Sequence, residues 1–211
     1  MNKTHSDFNT IQSNFLKSGL LNMDMVLSNL LIILITIFYL FNADGGHDWG
    51  GDFSMYIMNA NNIAQGSPYA QTGYIYNNEV VYGPPAYPPV FPLLLSPFIK
   101  FFGLNLKILK LPGILCFSAF LFYFNHKILP KETRLLSKLL LLTFIGFSPY
   151  FFLLSQRIMS DLPFLLFCYI ALDLMNNQFN SPTKREKKFI DYLLIGFFIY
   201  LAYGTRSIGI V

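Results

Sequence analysis

The chain has 211 residues, of which 54% are apolar, 18% are aromatic and only 12% are charged. With a mean hydropathy of +0.45, this composition excludes an ordinary soluble domain and indicates an integral membrane protein. The net charge is +4, but the Lys and Arg residues are scattered between apolar runs and form no basic face, which argues against a nucleic-acid-binding protein. Cys116 and Cys168 lie inside apolar runs without the spacing of metal ligands, so we expect buried thiols.

The first apolar run, residues 25–41, contains no charged residue and is about long enough to cross a bilayer as a helix. Residues 1–24 are polar and longer than the basic start of a signal peptide, and no small-x-small cleavage site follows the apolar run. The sequence therefore predicts a membrane span that follows a cytoplasmic segment, in preference to a cleaved signal peptide.

A polar helix is predicted just after this span, in the stretch GGDFSMYIMNANNIAQGSPY (residues 50–69). Asp52 is placed to cap the N-terminus of a helix over residues 53–65, and Gly66 is placed to end it. Apolar residues at helical spacing on one side predict that this helix lies along the outer membrane interface; they are Phe53, Ile57, Ala60 and Ala64. A purely structural role for Asp52 as a cap is the alternative to any chemical role.

Four further spans are predicted from apolar runs at residues 111–124, 139–154, 162–172 and 189–203. Residues 88–103 are apolar too, but four prolines and Lys100 interrupt this short stretch, which favours an interfacial helix over a span. The predicted fold is therefore all-α, with about five transmembrane helices.

Loop charge predicts the orientation of these spans. The basic segments 126–138 and 181–188 fall on the same side as the N-terminus, which makes that side the cytoplasm by the positive-inside rule. The first loop, residues 42–105, is then extracytoplasmic and carries the short interfacial helices; its residues 42–99 contain acidic side chains and no Lys or Arg. The C-terminus is predicted outside.

Five cations are then placed near the outer membrane surface: Lys100, Lys107, Lys110, Arg157 and Arg206. Each one alone is explained by a side chain that snorkels from a span end to the interface. Several together, beside an acidic loop, favour binding of an anionic lipid headgroup.

The order of these segments resembles the N-terminal part of the GT-C membrane glycosyltransferases, in the branch of the protein O-mannosyltransferases and lipid A aminoarabinose transferases. In that branch an acidic residue follows the first span, a Tyr lies four residues later, a YPP motif precedes an interfacial helix, and a basic residue plus Pro opens the second span. The matching residues here are Asp52, Tyr56, Tyr87, Pro88, Pro89, Lys110 and Pro112, and the later stretches SQRIMSDLPFLLF and YGTRSIG are similar to luminal motifs of the family. The likeness covers residues 25–209, whereas the family has eleven or more spans. The resemblance thus implies that residues 25–211 form an incomplete GT-C-like domain that is inactive by itself.

The resemblance also implies a reaction, the transfer of a sugar from a polyprenyl phosphate to an acceptor glycan, lipid or protein on the outer face. Asp52 would be the general base, and Asp48 a second carboxylate or, with His47, part of a divalent metal site that nothing else in the sequence supports. The lipid phosphate would be bound by cations, with Arg favoured over Lys for two-pronged phosphate binding; the candidates are Arg206, Arg157, Lys110 and Lys107. Tyr56, Tyr87 and Trp49 would contact the sugar or the acceptor, or simply anchor the chain at the interface.

Other readings of the sequence stay open at this point. Asp161 is predicted to be the N-cap of the fourth span, with a functional role as the alternative. A non-catalytic membrane scaffold derived from such a transferase fits the short length. A transporter subunit is a weaker alternative, because Asp173 and Asp191 fall near cytoplasmic span ends and no inverted repeat is visible. By the family likeness, the expected location is a bacterial inner membrane.

Overall fold

The computed structural model describes residues 3–47, 52–72, 86–130, 132–180 and 189–207. The regular structure in these ranges is helical, without any strand, which confirms the all-α prediction. The helices are α1 (Lys3–Asn42), α2 (Phe53–Gln65), α3 (Val90–Phe102), α4 (Leu106–Leu109), α5 (Leu111–Tyr123) with a π-helical turn (Phe124–Ile128), α6 (Leu135–Gly146), α7 (Pro149–Ser155), α8 (Asp161–Asn180) and α9 (Phe189–Thr205).

Two of the helical segments in the described ranges are long and apolar enough to cross a bilayer, Met23–Asn42 and Leu106–Ile128. A third is obtained if α6 and α7 are taken together as one span. The other two predicted spans fall on α8, whose C-terminal part is polar, and on α9, which has 17 residues. The structure therefore gives two or three spans by length and composition alone.

The third predicted span, residues 139–154, is not one continuous helix. It consists of α6 and α7, which meet at an angle of 49°. Pro149 is the first residue of α7, and Ser148 before it is extended with φ −59° and ψ 127°. The break follows from proline chemistry, since its ring excludes the helical conformation for the preceding residue and its nitrogen has no hydrogen to donate.

The larger hydrophobic core lies between α1, α5, α6 and α8. Its fully buried side chains include Ile35 and Tyr39 from α1, Phe117 from α5, Leu142 from α6 and Leu162 from α8. Side-chain hydrogen bonds also link these helices: the Thr36 hydroxyl donates to Ser118 Oγ at 2.9 Å, and the Tyr123 hydroxyl donates to Asp173 at 2.6 Å. Such polar links are typical of helices that associate where water is scarce.

A second, smaller core lies between α2 and α3. Gly66 ends α2 with φ +69°, as predicted, and the Ser67 amide donates to the Asn62 carbonyl at 2.9 Å. This is the left-handed C-terminal turn that glycine adopts without steric cost. The buried face of α2 includes Phe53, Ile57 and Ala60 and packs on α3. The sequence predicts that this face lies along the membrane interface, whereas in the structure another helix covers it.

The outward surfaces of α1, α6 and α9 are apolar. Leu34 is 60% exposed, Phe144 is 81% exposed and Phe197 is 53% exposed. Asn59, Lys110 and Lys138, in contrast, are buried within the fold. The exposed apolar side chains on these helices are compatible with a membrane protein.

Candidate functional site: a carboxylate, a tyrosine pair and an ion pair beside a cavity

The site begins at Asp52, directly before α2. Helix α2 starts where the sequence predicts, but the Asp52 side chain makes no capping hydrogen bond. Its Oδ1 instead accepts a hydrogen bond of 2.8 Å from the Tyr87 hydroxyl. The prediction of a capping side chain is therefore wrong, because packing of α2 on α3 brings a better donor, 35 residues further along the chain, to the carboxylate.

Tyr56 connects this carboxylate to the next part of the site. Its ring lies against the Tyr87 ring, with centroids 4.9 Å apart, and against Phe91 at 5.0 Å. Its hydroxyl shares a hydrogen bond of 2.9 Å with Ser160 Oγ. The side chain is buried, so it does not serve as an anchor at a membrane surface.

Burial raises the pKa of Tyr56 above its ordinary value, and the hydrogen bond with Ser160 partly opposes this shift. The charges of Asp52 and Asp161 raise the pKa further, whereas the charge of Arg206 lowers it. The Tyr56 hydroxyl thus lies within electrostatic range of both carboxylates and of the guanidinium, and it carries its proton at neutral pH.

An ion pair follows directly after Ser160. Asp161 Oδ1 accepts a hydrogen bond from Arg206, just beyond the end of α9. The Ser160 carbonyl accepts from the Phe164 amide at 2.9 Å, so Ser160 takes the position before the first turn of α8 and Asp161 is not its cap. Among the described residues, no hydrogen-bond donor reaches the buried Asp161 Oδ2.

The ion pair lies at one end of a cavity of about 440 Å³, a volume in the range of small-ligand sites. The remaining walls are apolar, aromatic or thiol side chains from α7 and α8: Tyr150, Phe151, Leu154, Phe164, Leu165, Cys168, Tyr169 and Leu172. Along α8 these residues follow helical spacing on one face, from Asp161 to Leu172, a length of about 16 Å. Since Tyr150 is 62% and Leu172 is 61% exposed, the cavity opens sideways on the apolar surface.

A ring of hydrogen bonds holds the backbone of Tyr87. The Tyr87 amide donates to Asn59 Oδ1 at 3.4 Å, and the Tyr87 carbonyl accepts from the Tyr69 hydroxyl at 2.6 Å. Asn59 Nδ2 closes the ring by donating to the Tyr69 carbonyl at 2.8 Å. Buried Asn62 adds bonds to the carbonyls of residues 68, 69 and 71. Burial raises the pKa of Tyr69 to about 12, so this donor stays protonated.

Lys110 lies in a different environment from the one the sequence predicts. It is 1% exposed, and its ammonium group donates to Asp44 Oδ1 at 2.7 Å, to the Gly46 carbonyl at 2.7 Å and to the Asp44 carbonyl at 3.1 Å. Three acceptors satisfy all three N–H groups of a lysine. Neither snorkelling nor phosphate binding describes this residue; it fastens the loop after α1 to the start of α5.

The loop after α1, which Lys110 holds in place, brings His47 into contact with Phe53 and Ile158. The His47 ring stacks on Phe53 with centroids 4.0 Å apart. Its Nε2 accepts a hydrogen bond of 2.9 Å from the Ile158 amide, which requires that Nε2 carry no proton. The turn between α7 and α8 is thus held against the loop that leads to Asp52.

The other predicted cations lie at the surface of the described part of the chain. Lys100, Lys107 and Arg157 are exposed. Asp48 and Trp49 lie outside the described residues, so the predicted second carboxylate and the predicted metal site are not described either. Elsewhere in the described ranges, no three His, Cys, Asp or Glu side chains are clustered as metal ligands would be.

Sequence reasoning did not identify four of the residues that build the site: Asp44, Asn59, Tyr69 and Ser160. Their roles depend on partners that are distant in sequence. Asn59 bonds to Tyr87, and Asp44 bonds to Lys110. Only Ser160 had a signal, since it precedes Asp161 in the family-like stretch SQRIMSDLPFLLF.

Comparison of the chain with protein-family models finds no family that matches it. The chain matches neither a curated protein nor a solved structure.

Proposed function

We propose that the chain forms the donor-lipid and base-bearing part of a membrane glycosyltransferase, which moves a sugar from a polyprenyl phosphate to an acceptor on the extracytoplasmic face. The observation that carries the proposal is a continuous path of contacts. It runs from the Asp52 carboxylate through Tyr87, Tyr56 and Ser160 to the ion pair at the head of an apolar cavity. Such a transfer needs two features. One is a carboxylate, which lies at one end of the path, and the other is a cation beside a cavity for the lipid, which lies at the other end.

The membrane setting of this proposal is five spans, with the N-terminus in the cytoplasm. These spans are α1, the helix from α4 through the π-helical turn, the bent pair α6–α7, α8 and α9. The apolar outward faces of α1, α6 and α9 support it, because side chains of this kind are stable in contact with lipid. The ends of α8 and α9 that carry Asp161 and Arg206 then lie at the outer side, with Asp52.

The cavity supports a lipid chain as the ligand's tail. Its walls are apolar along about 16 Å of α8, and it opens on the surface that faces lipid in this arrangement. Arg206 lies at its polar end and is 40% exposed. A guanidinium in that place binds a phosphate through parallel N–H groups.

The proposed reaction assigns a step to each end of the path. An acceptor hydroxyl attacks the anomeric carbon and passes its proton to Asp52, and the bond between that carbon and the phosphate oxygen breaks. The phosphate oxygen keeps the bonding electrons, and Arg206 stabilises the charge that develops there. Because Tyr87 donates to Asp52 Oδ1, the carboxylate is held in one orientation while its second oxygen accepts the proton.

Replacing Asp52 by Asn tests the chemical part. The amide oxygen of Asn still accepts the Tyr87 hydrogen bond, so the site is preserved while the base is lost. In membranes in which the variant substitutes for the parent protein, sugar transfer from labelled polyprenyl phosphate should fall by at least about 10²-fold. Asp24→Asn removes a carboxylate at the start of the apolar segment Met23–Asn42 of α1, away from Asp52, and should transfer sugar at the parent rate. Equal rates for the parent and Asp52→Asn would remove the transferase proposal.

A further inference from the structure

We infer that the Asp161–Arg206 pair lets the site distinguish a loaded donor lipid from the spent carrier, holding the glycosyl phosphodiester and releasing the lipid monophosphate. The inference rests on the proposed function, because it assumes that Arg206 binds a lipid-linked phosphate. It goes further by assigning a role to Asp161, whose negatively charged carboxylate repels an anion.

The first basis is the charge at the head of the cavity. Arg206 contributes one positive charge and Asp161 one negative charge, in direct contact. The head of the cavity is therefore close to neutral overall. A glycosyl phosphodiester carries one negative charge, whereas a phosphate monoester, with a second pKa of about 6, carries nearly two at neutral pH. Sugar transfer converts the first into the second. The attraction of Arg206 for the added negative charge is offset by repulsion from Asp161, so the greater cost of desolvating a doubly charged phosphate is left uncompensated.

The second basis is the oxygen of Asp161 that Arg206 does not occupy. Oδ2 is buried, and none of the described residues donates a hydrogen bond to it. A buried acceptor without a donor gains when a ligand supplies one. The hydroxyls of a sugar attached to the phosphate are donors, whereas the doubly ionised monophosphate has none to offer.

The third basis is how the pair is held. Asp161 is the first residue of α8, directly after Ser160, whose hydroxyl is bonded to buried Tyr56. Arg206 follows α9, which packs along α8 and against α3. Both charged groups are thus attached to packed helices, which keeps the pair at the head of the cavity.

The test compares two synthetic lipids, dodecyl phosphate and dodecyl glucosyl phosphate, which have the same chain and differ in headgroup charge and hydroxyls. Binding to the purified chain in detergent micelles is measured by native mass spectrometry at pH 7.5. The parent should prefer the glucosyl diester by at least about 10-fold, and Asp161→Asn should abolish the preference by binding the monophosphate more tightly. An absent preference in the parent, or an unchanged one in Asp161→Asn, overturns the inference.

A second measurement uses the parent alone and does not depend on whether the variant folds. Between pH 5 and pH 8 the monophosphate gains its second charge, so its affinity should fall as the pH rises. The glucosyl diester keeps one charge throughout, so it reports any effect of the protein's own titratable groups near the ligand, which are Asp52, Tyr56, Asp161 and Arg206 together with Tyr150, Cys168 and Tyr169 in the cavity wall. Parallel pH profiles for the two lipids would contradict the inference.

The variant Arg206→Gln distinguishes a failure of this inference from a failure of the proposal that Arg206 binds a lipid phosphate. If phosphate binds at Arg206, both lipids should bind this variant at least about 10-fold more weakly. Unchanged binding of both lipids to Arg206→Gln would refute the lipid-phosphate site itself. Weakened binding of both, together with an unaltered preference in Asp161→Asn, would refute only the role of Asp161.

Discussion

The contact between α3 and α9 allows a quantitative test, because two glycines on α9 differ in what surrounds them. A Cβ added at Gly204 would lie 2.6 Å from Val90 Cγ2 and 3.6 Å from Val90 Cβ, whereas one added at Gly196 would meet nothing within 4 Å. Carbon atoms in contact are ordinarily about 3.5–4.0 Å apart. Gly204→Ala therefore demands a shift of roughly 1 Å at a buried valine, whose branched side chain has few alternative rotamers.

The two alanine variants should then differ in the sign of their effect. Ala in place of Gly stabilises a helix interior by up to about 1 kcal/mol, which Gly196→Ala gains without a clash. Gly204→Ala gains less because it lies near the helix end, and it incurs about 1–3 kcal/mol of overpacking. We expect Gly204→Ala to be about 1–4 kcal/mol less stable to unfolding than Gly196→Ala, because the overpacking cost adds to the smaller helix gain.

Titration with SDS in mixed micelles, followed by helical circular dichroism, measures this difference in the free energy of unfolding. Adding Val90→Ala to each glycine variant supplies the control. In Gly204→Ala, this second substitution should restore part of the lost free energy of unfolding, because it removes the clash. In Gly196→Ala, it should only lower the free energy of unfolding by the ordinary amount for a valine cut back to alanine. Equal stability of the two glycine variants would show that α3 does not lie against α9 next to Arg206 in the manner described.

Two further predictions concern the orientation of the spans and the pair formed by Lys110 and Asp44. In a variant without its native cysteines, Gln71→Cys should react with an impermeant maleimide in intact cells and Glu132→Cys only after permeabilisation; the reverse pattern would exclude the five-span orientation. The hydrogen bond and charge of Lys110 lower the pKa of Asp44 below its ordinary value of 3.8, so the folded state gains stability from this carboxylate above that pH and loses it as the pH falls below it. Thermal unfolding between pH 2 and pH 6 should show this loss in the parent and a weaker pH dependence in Lys110→Met. Identical profiles would mean that the pair adds no stability.

The helices could be predicted wherever local chemistry fixes their ends. Helix α2 ends at the predicted residue because Gly66 supplies the left-handed conformation that stops it. Pro149 is an equally strong local signal for a helix break. The predicted continuous span over residues 139–154 is wrong because α6 ends before this proline and α7 begins at it. The apolar runs located the helices but not their lengths, since α1 continues through polar residues to Lys3.

The sequence indicated several residues of the candidate site, but it did not indicate which residues bond to each other. Asp52, Tyr56, Tyr87 and Arg206 were candidates from the sequence. The structure links the first three through side-chain contacts, and Ser160, which is bonded to Tyr56, is the sequence neighbour of Asp161, the partner of Arg206. The partners could not be assigned, because a carboxylate before a helix has a favourable local role as a cap and only tertiary packing supplied Tyr87 in its place. Lys110 shows the same limit, since a basic residue at the start of a span is equally compatible with snorkelling, phosphate binding and a buried tie.

The ring formed by Asn59, Tyr69 and Tyr87 bears on how this molecule tolerates insertions. The ring holds the chain at Tyr69 and again at Tyr87, so the two ends of the intervening segment are set by α2 and by each other. The entropic cost of closing a loop between fixed ends grows only logarithmically with its length. We therefore expect residues inserted between positions 72 and 86, such as an epitope tag, to leave the hydrogen bond between Tyr87 and Asp52 in place.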